Sequence, residues 1–200
     1  MWEKDFDINE VREIRTRTCV YFGCGAINKM EDIAKDFKSK GIDRLIVMSG
    51  IHAYKSTGAW DVVEKALKSN GIGYINYDKV TPNPTTQAVN EAAAMAREFG
   101  AKAVITIGGG SPTDAGKSVA ILLKYPDKNA NDIYEFTFTP TEAAPIVAIN
   151  LTHGTGSETN RFAVATILEK DYKPAIAYDC IYPTYAIDDP KLMAGLSPKQ

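Results

Sequence analysis

The sequence predicts an α/β fold: a mainly parallel sheet with helices on both faces, plus a β-hairpin near the C-terminal end. Three observations carry this. Short apolar runs and longer amphipathic stretches alternate along the first 124 residues. One such run, Ala103 to Ile107, passes straight into Gly108-Gly109-Gly110 and a helix start. After Arg161 the pattern changes to two short apolar runs flanking the polar turn Glu169-Lys170-Asp171, the signature of a hairpin. Repeated strand–helix units imply parallel neighbours, because parallel strands need crossover connections.

In order, residues 18–22 read as an entry strand, 27–40 as an amphipathic helix and 45–48 as a short buried strand. Residues 60–69 form a helix with Val62, Val63, Ala66 and Leu67 on one face, and 74–77 a strand. Asn83-Pro84 supplies a cap and a first-turn proline for a helix running to Phe99. Residues 103–107 are a strand, 112–124 a helix and 146–149 a strand, and the hairpin uses 162–168 and 175–178. The stretch 127–132 reads as a polar surface loop. Ligands in such a fold gather at the carboxyl ends of strands, where the loops after Met48, Ile107 and Ile149 meet.

The glycine loop is suited to phosphate. Three glycines remove every Cβ from the turn, so the backbone can approach a ligand closely. Ser111 reads as the helix cap, Pro112 as the first helical residue and Asp114 as the third, a Ser-x-x-Asp capping box. Such an N-terminus offers N–H donors and a positive dipole end to a diphosphate. The spacing fits neither standard motif. A Walker A loop needs glycine where Ser111 stands, and a Rossmann fingerprint counted from Gly108 needs one at Thr113.

Composition sets bounds. Lys plus Arg at 23 against Asp plus Glu at 25 gives a net charge of −2, so there is no basic footprint for nucleic acid. Lys35, Lys38, Lys40 and Arg44 are interleaved with acids and read as a solvated face. No apolar stretch approaches the ~20 residues of a membrane span, and Met1-Trp2-Glu3-Lys4-Asp5 has no secretory pattern, so the expected address is cytoplasmic. Cys19, Cys24 and Cys180 read as buried or free thiols. The two histidines, His52 and His153, are too poorly grouped in sequence to suggest a metal site.

Gly-Gly-Gly-Ser-Pro-x-Asp-x-x-Lys at 108–117 resembles the dinucleotide-binding signature of the iron-containing (group III) alcohol dehydrogenases. Asn83-Pro84-Thr85 looks like that family's Pro-Asn-Pro-Thr loop. Thr152-His153-Gly154-Thr155-Gly156-Ser157-Glu158 is similar to its Thr-x-Gly-Thr-Gly-Ser-Glu loop, and residues 186–193 resemble the segment closing its N-terminal domain. The resemblance covers nearly the whole chain, in order. It implies a Rossmann-like NAD(P)-binding domain over 1–196. Ser197-Pro198-Lys199-Gln200 would then begin an otherwise absent helical domain that carries the aspartate and histidines holding iron.

Carried over, the resemblance gives the coenzyme diphosphate to Gly109, Gly110 and Ser111. Asn83, Thr152 and Thr155 match polar positions lining the coenzyme cleft, and Lys173 a basic position near the ribose and phosphates. Asp114 either serves the helix cap or faces the nicotinamide end, since a carboxylate beside a diphosphate is repelled. Where NAD-preferring members place an acid after the second strand, this chain has Ser49-Gly50-Ile51-His52. Gly50, with Ser49 and Lys55 nearby, accommodates a 2′-phosphate and points toward NADP(H).

The implied function is hydride transfer between NAD(P) and an alcohol or aldehyde by an iron-dependent enzyme, of which these residues supply the coenzyme half and no catalytic or metal residue. Taken alone, they are expected to lack catalytic iron and turnover. Two alternatives stand beside it: the zinc chemistry of glycerol dehydrogenase- or dehydroquinate synthase-like enzymes, and a free-standing dinucleotide-binding module. A homodimer or higher oligomer fits an apolar face left by a missing domain.

Overall fold

The computed structural model describes residues 17–197. The reading of 197–200 as a helix start lies outside these residues except for Ser197, which is not helical. The elements are β1 (Cys19–Phe22), α1 (Met30–Ser39, entered through a 3-10 turn, Ala26–Lys29), β2 (Arg44–Ser49), α2 (Ala53–Ser56), α3 (Ala59–Ser69) and β3 (Gly73–Tyr77). Next come α4 (Thr86–Phe99), β4 (Ala103–Gly108), α5 (Gly110–Lys124), α6 (Ala130–Tyr134) and β5 (Ile146–Asn150). The last are β6 (Phe162–Val164), β7 (Ala175–Ala177) and β8 (Tyr185–Asp188).

Six strands form one sheet in the order β1-β8-β5-β4-β2-β3, every pair parallel, and β6 and β7 pair antiparallel as the expected hairpin. The central strands are buried on both faces and split their side chains between two cores. Ile46, Met48 and Val104 pack under α4 and α5, whereas Leu45, Val47, Ala103, Ile105 and Ile107 pack under α1 and α3. From β2 the chain goes outward to β3, returns past β2 to β4, then continues to β5 and β8. The direction therefore reverses between β2 and β4, which opens a crevice at their carboxyl ends.

Four local expectations need correction. α5 starts at Gly110 with Gly109 at the cap position and no capping side chain, so Ser111 is its second residue and Pro112 its third. Proline is tolerated there because its N–H would lack an intrahelical acceptor anyway. α4 is capped by Thr85, whose hydroxyl accepts from the Ala88 N–H at 3.1 Å, and Asn83 instead takes a left-handed φ of 57°, which asparagine tolerates. The 127–132 stretch is not all loop: Asn129 and Asp132 make a capping box and start α6. Finally, residues 185–188 form an interior strand that the sequence pattern did not single out.

α5 lies directly on the sheet. A Cβ on Gly116 would collide with the Thr106 methyl and come within 3.3 Å of Val104 Cγ1, so only glycine allows this approach.

Candidate functional site

The crevice between β2 and β4 is a cleft of about 490 Å³ lined by Gly50, His52, Val80, Gly109, Ser111 and Thr152, among others. It contains the bare first turn of α5. The N–H groups of Gly110 and Ser111 have no intrahelical acceptor, and no side chain caps them. The loop after β5 closes one wall. A Cβ on Gly109 would strike Thr152 Oγ1, and one on Gly110 would come within 2.8 Å of the Thr155 methyl. The threonines stand where side chains on the glycines would be, which leaves the amide edge as the polar surface.

That loop is fixed from below by two charged residues of α5. Lys117 is fully buried, and its Nζ donates to Ser157 Oγ (3.0 Å), the Asn160 carbonyl (2.9 Å), Asn160 Oδ1 (3.1 Å) and the Phe162 carbonyl (2.8 Å). Burial pushes its pKa down to about 8, against the opposing attraction of Asp114 and Glu158. Asp114 accepts from Ser157 Oγ at 2.6 Å and from the Val164 N–H at 3.1 Å. Burial raises its carboxyl above the ordinary range, opposed by the Ser157 hydrogen bond and the Lys117 charge. Asp114 therefore caps no helix; both its oxygens tie α5 to the 157 loop and to β6.

The candidate residues thus fall into two groups. Gly50, Gly109, Gly110, Ser111, Thr152 and Thr155 surround the crevice. Asn83 and Lys173 meet each other, Lys173 Nζ donating to Asn83 Oδ1 at 2.6 Å, in a separate cleft of about 320 Å³ between the hairpin and the start of α4. The backbone joins this second cleft to the hairpin: the Thr86 N–H donates to the Thr166 carbonyl and the Thr166 N–H to the Pro84 carbonyl. Sequence reasoning assigned no role to Lys117, although it belongs to the 108–117 motif. The charge at that position was the available signal, and its burial was not visible.

Comparisons with known proteins agree with this architecture. The model of the iron-containing alcohol dehydrogenase family matches residues 18–190. The chain belongs to that family. It is 60% identical over its full length to the long-chain primary alcohol dehydrogenase AdhA of Thermoanaerobacter ethanolicus, covering 50% of that protein. It is 32% identical to the NADPH-dependent butanol dehydrogenase of Clostridium saccharobutylicum, over 90% of this chain and 45% of that one. The NADH-dependent butanol dehydrogenase A of Thermotoga maritima superposes with a TM-score of 0.86 at 30% identity, over 96% of this chain and 47% of that structure. The chain spans about half the length of the curated relatives it matches. No helix among the described residues is long and apolar enough to cross a membrane.

A dinucleotide fits what the crevice offers: uncapped helix amides, glycines that admit no Cβ and a strand-end position at the point where the strand order reverses. The family's iron does not fit the described residues in the form the resemblance implies. An aspartate with several histidines is needed, whereas His52 lines the crevice between β2 and β4 and His153 is grouped only with carboxylates.

Proposed function

We propose that these residues are the coenzyme-binding half of an alcohol dehydrogenase that moves hydride between NADP(H) and an alcohol or aldehyde. The observation that carries the reading is the uncapped first turn of α5 opening into the crevice beside Gly50. The amides of Gly110 and Ser111 would hold the diphosphate, assisted by the positive end of the helix. Thr152 and Thr155 would orient it from the facing loop. When bound, the nicotinamide supplies the hydride chemistry. No step through iron is derived from these residues.

The preference for NADP(H) rests on Gly50, since a carboxylate there would repel a 2′-phosphate. Relatives of both kinds exist, one named NADPH-dependent and another NADH-dependent. Fluorescence titration of the chain with NADPH and NADH tests the reading. NADPH should bind more tightly, and Gly50→Asp should weaken NADPH at least tenfold while leaving NADH nearly unchanged. A Cβ there would meet the Val80 carbonyl oxygen at 3.4 Å, an ordinary contact, so the fold should tolerate it. Binding of neither coenzyme would overturn the assignment, and equal losses for both would overturn the role of Gly50.

A further inference from the structure

Beyond the coenzyme crevice, the carboxyl ends of β5 and β8 bring together three residues far apart in sequence. His153 and Glu158 come from the loop after β5, and Asp188 is the last residue of β8. One donor atom from each, an imidazole nitrogen and two carboxylate oxygens, lies within 4.8 Å of the others. The strand register sets this meeting, because Asn150 at the end of β5 pairs with Asp188.

The carboxylates are not surface acids. Glu158 is 8% exposed and Asp188 5%. Asp188 Oδ1 is held by Asn150 Nδ2 at 3.1 Å. Glu158 accepts no hydrogen bond from any described residue. Lys117 acts on it through charge, but all the hydrogen bonds from its ammonium go to Ser157, Asn160 and Phe162. Two carboxylates held this close at low exposure repel each other, and a cation seated between them and the imidazole would turn that repulsion into attraction.

We propose that His153, Glu158 and Asp188 form a divalent-cation site distinct from the coenzyme crevice. One imidazole and two carboxylates suit a first-row ion of the Mn²⁺-to-Zn²⁺ class, because an imidazole ligand selects against Mg²⁺ and Ca²⁺. Metal–donor bonds of about 2.0–2.2 Å require donors somewhat closer than the outer limit seen here. His153 is exposed, with an imidazole nitrogen already facing the carboxylates. Asn150 would be the outer partner that fixes the Asp188 ligand. The bound ion would pin the 152–158 loop to β8.

Co²⁺ is the probe. Titrated into the metal-free 200-residue chain, it should bind at one equivalent, with a visible absorption band, and should raise the melting temperature. Glu158→Gln and Asp188→Asn should each weaken binding at least tenfold. His153→Ala, at an exposed position, should weaken binding and change the band. Absence of stoichiometric binding would overturn the proposal. So would identical Co²⁺ affinity and spectrum in His153→Ala. Coenzyme titration of the same samples is a separate measurement, so failure here leaves the coenzyme reading untouched.

Discussion

The first turn of α5 and the turns that follow it use the same helix in opposite ways. At Gly110 and Ser111 the backbone is bare, uncapped and open to the crevice. One to two turns later, Lys117 is buried, Asp114 is half-buried, and their polar atoms are matched to Ser157, Asn160, Phe162 and Val164. An unsatisfied turn is available for a ligand only if its surroundings do not collapse onto it. These two charged residues hold the facing loop in place, so that Thr152 and Thr155 stand beside the amides.

The largest expected effect comes from breaking the satisfied half. Lys117→Met leaves the Asn160 and Phe162 carbonyls without a donor and Asp114 without its buried counter-charge. It should cost about 2–4 kcal/mol of stability by denaturant unfolding, because each buried acceptor left without its donor costs about 1–3 kcal/mol. A result under about 1 kcal/mol would mean that the network is not what holds the loop.

The open half should respond differently. Gly110→Ala places a methyl against Thr155 and should weaken NADPH at least tenfold in a fluorescence titration, with a smaller loss of stability than Lys117→Met. Equal stability losses in the two variants would erase the contrast between the turns.

A smaller effect sharpens the same comparison through pH. The pKa of Lys117 in the folded chain, about 8, lies below its ordinary value of 10.5. Between these values the unfolded chain holds more protons, so the Lys117 contribution to stability rises with pH across that interval. Subtracting the unfolding pH profile of Lys117→Met from that of the parent isolates it. A flat difference would show that Lys117 titrates normally.

Much of this was legible in the sequence, and the exceptions have physical causes. β2, β4 and β5 announce themselves as continuous apolar runs because both of their faces are buried. β8 escaped because it is four residues long and ends in Asp188, a charge that reads as loop until Asn150 is seen beside it. The start of α5 was misplaced because Ser-Pro is a strong cap signal, whereas the helix begins earlier, at Gly110, with Gly109 at the cap position. The crevice itself could be anticipated from glycines and strand ends. The meeting of His153, Glu158 and Asp188 could not, since it depends on which strand lies next to β5.

Gly116 has a consequence for the whole helix. With no side chain between α5 and Thr106, the helix rests on β4 at its closest approach, like a beam on a fulcrum. Gly110 sits six residues away, roughly 9 Å along the axis at 1.5 Å per residue. Any bulk introduced at the fulcrum would tilt the beam and swing its tip, so the aim of the amide edge is set by a contact that no coenzyme touches.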